Sequence, residues 1–280
     1  MKNHEKVNLT DDGRVYFVPY VPDFSPEMPL MHKRPGIVVV PGGGYQMTSD
    51  REAEPIALAF AARGFDAFVL RYSVNVHATW PNPIVDLMRA MAYIRAHADE
   101  YMLIPNNLAV VGFSAGGHLT AALGVYWNDP ELLAIAGVTS EEAKPNALIL
   151  NYPVITGEEA FAHEDSIDVL LNGHENDNVK SLREKLSLEK YVGPHTPPCL
   201  IYHTFEDSVV PVKNSLAFAT ALAENNVRFE MRIIEEGPHG SALGTEMTAM
   251  PDGFFINRKY AAWPDEAMTW LNKHFNRTIN

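Results

Sequence analysis

The chain predicts an α/β fold, with a mainly parallel central sheet, helices on both faces and one short insertion. Apolar runs of strand length recur along it, and most are continuous, as in strands buried on both faces. Stretches with helical spacing separate these runs, and glycine or proline punctuates the junctions. Strands that alternate with helices assemble into parallel sheets covered on both sides. A length of 280 residues suits one such unit, so residues 1–280 read as a single domain.

The first strand is RVYFVPYV at 14–21, where Pro19 and Pro22 suit a sheet edge because proline has no N–H for the ladder. GIVVV at 36–40 is a buried strand that stops at Pro41. REAEPIALAFAAR at 51–63 reads as a helix closed by Gly64, and DAFVLRY at 66–72 as the next strand. Residues 83–100 place Ile84, Leu87, Met88 and Met91 on one helical face, with Pro83 in the first turn. LAVVG at 108–112 is a strand that leads into a helix from Ala115 to Tyr126. ALILNYPVI (147–155) and CLIYHTF (199–205) are further buried strands. A helix over 211–224 opens at Pro211. VRFEMRII (227–234) mostly alternates apolar with charged residues, as a strand with one wet face does. Trp263, Ala267, Trp270, Leu271 and Phe275 form the stripe of a terminal helix. Residues 156–180 break the rhythm. They are acidic, carry only a short apolar patch, and read as a cap-like insertion over one edge of the fold.

Composition narrows the function classes. Hydrophobic residues are 46% and charged residues 20%, as in globular proteins. A net charge of −13 disfavours nucleic acid and anionic membranes as partners, since both require clustered lysine and arginine. The lone Cys199 excludes an internal disulfide. No segment offers the apolar length of a membrane span, and the polar start MKNHEKVNLTDDGRVYF lacks a signal-peptide core. A cytoplasmic location is the expectation.

The chemistry centres on Gly112-Phe113-Ser114-Ala115-Gly116, which fits G-x-S-x-G. A serine on a sharp turn between strand and helix is thrust out at the carboxyl end of the sheet. Small neighbours relieve the crowding there, and the helix N-terminus aims N–H groups at the reacting centre. A serine hydroxyl is a weak nucleophile without a base. Of His163, His174, His195, His203 and His239, only His239 lies in a loop beyond the last predicted strand, between Pro238 and Gly240. The acid that orients such a base is expected after the preceding strand, in EDSVVP. Asp207 is the candidate there and Glu206 the alternative. An oxyanion site needs backbone donors, and PGGGY at 41–45 follows the GIVVV strand. Gly43, Gly44 and Ala115 are the candidate donors.

PGGGY, GFSAGGH, EDSVVP and GPHG, in this order, resemble the α/β-hydrolase superfamily over roughly residues 30–275. The likeness runs to hormone-sensitive-lipase-related esterases and to the acetyl-xylan and feruloyl esterase branch. It implies carboxylic ester hydrolysis without a cofactor or metal, by Ser114, Asp207 and His239 on a small-molecule ester. Many lipase-like relatives have histidine where Pro41 stands, which points to the sugar-esterase branch.

His163-Glu164-Asp165 and His174-Glu175 match no metal-binding spacing and read as a solvated acidic face. His118, four residues after Ser114, either lines the site or packs the helix. MTAMPDGFF at 247–255 either borders an acyl pocket or packs as a loop. No segment supplies the wide apolar lid of a long-chain lipase, so short acetyl-type esters of sugars, such as acetylated xylo-oligosaccharides, are expected. The alternatives are a peptidase of the prolyl-oligopeptidase kind and a non-catalytic binding protein on the same fold.

Overall fold

In the strand Arg34–Val40, successive side chains point to opposite faces of the sheet. Ile37 and Val39 enter one core, and Val38 and Val40 the other, all fully buried. The same alternation in neighbouring strands builds two apolar layers. This computed structural model describes residues 2–3, 5–158, 160–174 and 179–275. Its strands are β1 (Lys2–Asn3), β2 (Val7–Asn8), β3 (Tyr16–Val21), β4 (Arg34–Val40), β5 (Asp66–Arg71), β6 (Leu103–Phe113), β7 (Ala147–Asn151), β8 (Cys199–Thr204) and β9 (Phe229–Ile234). They form one sheet in the order β1-β3-β5-β4-β6-β7-β8-β9, with β2 also on β3. From β5 across to β9 the pairing is parallel, while β3 joins β5 antiparallel.

Helices Asn82–Ala96, Ala115–Tyr126 and Lys213–Glu224 cover one face, through residues such as Leu87, Leu119 and Phe218. Helices Glu54–Ala61 and Trp263–His274 cover the other, through Phe60, Trp263 and Leu271. Two differences from the sequence reading bear on the site. The helix expected over 51–63 starts only at Glu54, because Pro55 in its first turn suits a helix beginning and not an interior. Asp50–Glu52 form a separate 3₁₀ turn. The strand expected over 147–155 stops at Asn151, since Tyr152 takes φ 37° and Pro153 has no N–H for the ladder.

Of the segment 156–180, Glu159 and 175–178 lie outside the described residues; within the rest, His163 lines the cleft that holds Ser114, and the Phe161 carbonyl accepts from Asn214 Nδ2 at 2.9 Å. The segment's helix Glu164–Leu171 buries Ile167 and Leu170, and the Leu170 carbonyl accepts from the Trp80 N–H at 3.0 Å. Among the described residues, no helix is long and apolar enough to cross a membrane.

Candidate active site

Ser114 occupies the turn between β6 and the helix Ala115–Tyr126, with φ 53° and ψ −119°. A non-glycine residue there is strained and needs to be held. Its N–H donates to the Asn151 carbonyl at 3.0 Å, and its own carbonyl accepts from the His118 and Val154 N–H groups at 3.0 and 3.1 Å. The close approach explains the flanking small residue. A Cβ on Gly116 would lie 2.2 Å from the Val40 carbonyl oxygen and 2.4 Å from that of Pro41.

His239 lies in the loop after β9. Its Nε2 is 2.8 Å from Ser114 Oγ, and its Nδ1 is 2.6 Å from Asp207 Oδ2. Asp207 follows β8 and is buried. Its Oδ1 accepts from the Val209 and Val210 N–H groups at 2.9 and 2.8 Å, which freezes the carboxylate in a short turn. Burial pushes the Asp207 carboxyl up. The hydrogen bonds from His203 and His239 and the Val210 N–H outweigh it and hold the group well below the usual carboxylate range. An ionised carboxylate only accepts, so the proton of neutral His239 sits on Nδ1, and Nε2 is left to accept from the serine hydroxyl.

A second histidine supports Asp207. His203 Nε2 lies 2.9 Å from the Val210 carbonyl and 3.3 Å from Asp207 Oδ2. Both atoms accept, so Nε2 carries the proton. His203 Nδ1, 2.7 Å from Ser215 Oγ, then takes the serine hydroxyl's hydrogen bond. His203 sits inside β8 and reads from sequence as a core residue. Glu206, the alternative acid, is exposed and accepts from the Gly237 N–H at 3.4 Å, whereas the carboxylate bonded to His239 is that of Asp207.

The PGGGY loop leaves β4 and passes Ser114. A Cβ on Gly42 would lie 2.9 Å from the Ser114 Cβ. The Gly42 N–H is committed to Glu52 Oε2 at 2.8 Å, whereas Gly43 and Gly44 line the same cleft as Ser114. Ala115 is the first residue of its helix, where N–H groups have no partner within the helix. Glu52 is hidden in sequence because 51–63 has the pattern of one helix, and Pro55 is the signal that separates it. Buried to 3% exposure, it also accepts the Tyr152 hydroxyl at 2.7 Å, and the Tyr152 oxygen accepts the Ala242 N–H at 2.9 Å. One carboxylate thus ties the glycine loop to the loop that carries His239. Arg51 adds a second tie, from Nη2 to the Gly240 carbonyl at 2.9 Å.

The cleft has a volume of about 300 Å³ and is lined by Gly43, Gly44, Met47, Ser114, Val209 and His239, with Ser49 and Glu52. His163 completes the wall. Glu164 and Asp165 are solvated as expected, but His163 does not share their face. It turns inward at the start of its helix, and its Nδ1 meets Ser166 Oγ at 2.8 Å. His174 bonds the Trp80 carbonyl instead, and Glu175 lies outside the described residues. His118 is fully buried and packs the helix. Its Nε2–H donates to the Leu186 carbonyl at 3.0 Å and its Nδ1 accepts from the Tyr45 hydroxyl at 2.8 Å; burial lowers its pKa to about 4. The 247–255 loop contributes no residue to the lining of the cleft. Phe255 stacks on Arg51 at 3.7 Å, while Met247, Met250 and Phe254 are exposed. A larger groove of about 480 Å³, between β8, β9 and the terminal helix, contains none of these residues.

The BD-FAE family model matches residues 25–222. The chain belongs to the BD-FAE family. It stands in the acetylxylan-esterase and hormone-sensitive-lipase-like branch of the α/β-hydrolase superfamily. This BD-FAE chain is 39% identical over 231 residues to endo-1,4-beta-xylanase B of Butyrivibrio fibrisolvens, covering 80% of the chain and 34% of that protein. It is 31% identical over 242 residues to an acetylxylan esterase of Xylanibacter ruminicola, covering 85% of the chain and 46% of that protein. The chain therefore spans less than half the length of these two curated relatives. Among solved structures, an acetyl ester-xyloside bifunctional hydrolase from Caldicellulosiruptor lactoaceticus is similar over 98% of this chain and 97% of its own, with a TM-score of 0.80 and 32% identity.

Proposed function

We propose that the chain is a carboxylesterase that removes short, acetyl-type acyl groups from sugars, acetylated xylo-oligosaccharides among them. The observation that carries the reading is the unbroken line from Asp207 Oδ2 to His239 Nδ1 at 2.6 Å and from His239 Nε2 to Ser114 Oγ at 2.8 Å. Ser114 Oγ bonds to the ester carbonyl carbon while His239 Nε2 takes the hydroxyl proton. Asp207 steadies the imidazolium that forms. The Gly43, Gly44 and Ala115 N–H groups face the carbonyl oxygen as it gains negative charge. The carbon–oxygen bond to the alcohol then breaks, and His239 returns its proton to the leaving oxygen. Water, deprotonated by the same histidine, cleaves the acyl-enzyme and restores the serine.

The size of the cleft supports the acyl preference. A long chain would need a continuous apolar wall, because each buried CH₂ contributes about 0.8 kcal/mol. Met47 and Val209 are the apolar side chains of the cleft, and both are about half exposed. The sugar preference draws support from the xylan-related names of the relatives. An acyl-chain series tests both: kcat/KM is highest for acetyl esters and falls steeply beyond about four to six acyl carbons. A maximum at octanoate or longer overturns the reading.

A further inference from the structure

We propose that His163 is the residue that recognises the alcohol half of the substrate, through a hydroxyl adjacent to the ester oxygen. This deepens and rests on the esterase reading, and it assigns a role to a residue of the acidic insertion. The substrate class it selects is esters of vicinal diols and polyols, as distinct from esters of simple alcohols.

Position is the first support. His163 lines the same cleft as Ser114 and His239. In the proposed reaction His239 hands its proton to the leaving oxygen, so the alcohol must lie against His239. His163 is placed to meet that alcohol, since it lines one cleft with both His239 and Ser114. Burial, followed by His239, holds it below the ordinary histidine range, with Asp165 and Asp207 opposing. At neutral pH the ring is therefore uncharged, with one donor and one acceptor nitrogen.

Anchoring is the second. The Nδ1–Ser166 Oγ contact at 2.8 Å fixes the ring plane, and Ser166 is itself fully buried, so the anchor does not swing. Nδ1 is thereby occupied, and Nε2 is the nitrogen left for a ligand. Whether Ser166 donates to Nδ1 or accepts from it, Nε2 becomes a donor or an acceptor. A hydroxyl pairs with either, whereas an alkyl group pairs with neither and leaves a half-buried nitrogen without a partner. A site built to bond a hydroxyl discriminates against the analogue that lacks one.

Two ring esters that differ by one hydroxyl isolate this contact: trans-2-hydroxycyclohexyl acetate and cyclohexyl acetate. The readout is the ratio of their kcat/KM values, which cancels any general loss of activity. The wild-type protein favours the hydroxy ester by about five- to tenfold, the range of one neutral hydrogen bond. In His163→Phe, which keeps a ring without its nitrogens, the ratio collapses toward unity. In His163→Gln, which keeps a donor and an acceptor, part of it is retained. A wild-type ratio near unity, or a ratio that His163→Phe leaves unchanged, overturns the proposal. Failure of the sugar-ester reading would look different: both cyclohexyl esters are turned over while an acetylated methyl xyloside is not.

Discussion

Replacing Glu52 by glutamine tests how the glycine loop is held against Ser114. The carboxylate accepts two hydrogen bonds, from the Gly42 N–H at 2.8 Å and the Tyr152 hydroxyl at 2.7 Å, at 3% exposure. Glutamine keeps one acceptor and puts an NH₂ where the other was. If its oxygen stays on Gly42, the NH₂ meets the Tyr152 oxygen, which already receives the Ala242 N–H. The tyrosine proton then has no acceptor in the network. If the amide turns over, two donors face each other at Gly42. Either way one bond to a charged group is lost, about 1.5–3 kcal/mol. With an unfolding entropy near 2.1 cal/mol/K per residue, about 0.6 kcal/mol/K over the chain, Tm should fall by about 3–5 °C. Deleting one oxyanion donor outright costs about 10²–10³ in kcat, and a loosened loop costs less, so kcat should fall about ten- to a hundredfold. KM should change far less, because the donors act chiefly on the charge of the transition state. Steady-state kinetics on p-nitrophenyl acetate and a thermal melt give both numbers. A variant with the expected loss of Tm but a kcat within about twofold of wild type would refute the link between Glu52 and the donors.

Asp207→Asn should lower kcat by about 10⁴, while Glu206→Gln, altering an exposed carboxylate bonded to Gly237 and not to His239, should leave it nearly unchanged. Kinetics that rank the two the other way would reassign the acid. Because the folded pKa of Asp207 is depressed, its stabilisation is complete above the unfolded value of about 4 and is lost as pH falls below that toward the folded value. The Tm gap between wild type and Asp207→Asn should therefore be full at neutral pH and narrow in strong acid; a gap that widens there contradicts the assignment. Gly116→Ala would place a methyl 2.2 Å from the Val40 carbonyl oxygen, so it should displace the Ser114 turn, lowering Tm and activity together. Wild-type values for both would show that the turn relaxes freely.

The parts of the fold that were legible were those governed by local pattern. GIVVV and LAVVG are buried on both faces, and their continuous apolar runs say so. The serine turn was legible because strand, small residue and helix start all fall within a few positions. The choice between Glu206 and Asp207 is harder to read from sequence. Glu206 and Asp207 are neighbours, and what separates them is the turn in which Asp207 Oδ1 takes the Val209 and Val210 N–H groups while Oδ2 meets His239. Glu52 and His163 escaped for opposite reasons. Glu52 sits in what reads as a helix until Pro55 is given its weight. His163 sits beside Glu164 and Asp165, which are solvated, and its inward turn comes with the packing of Ile167 and Leu170 against the body of the fold. His203 looks like core in sequence because it is core; only tertiary contact brings its Nε2 to Asp207.

The most direct test of the account is covalent labelling with a fluorophosphonate, followed by peptide mapping. The reagent reacts only with a serine whose hydroxyl is activated by a base and whose adduct oxygen meets oxyanion donors. The account predicts one adduct per chain, on Ser114, absent in Ser114→Ala and strongly slowed in His239→Asn, with ester hydrolysis lost in proportion. Hydrolysis that persists in a folded Ser114→Ala protein, or an adduct on another serine that tracks the loss of activity, would contradict it.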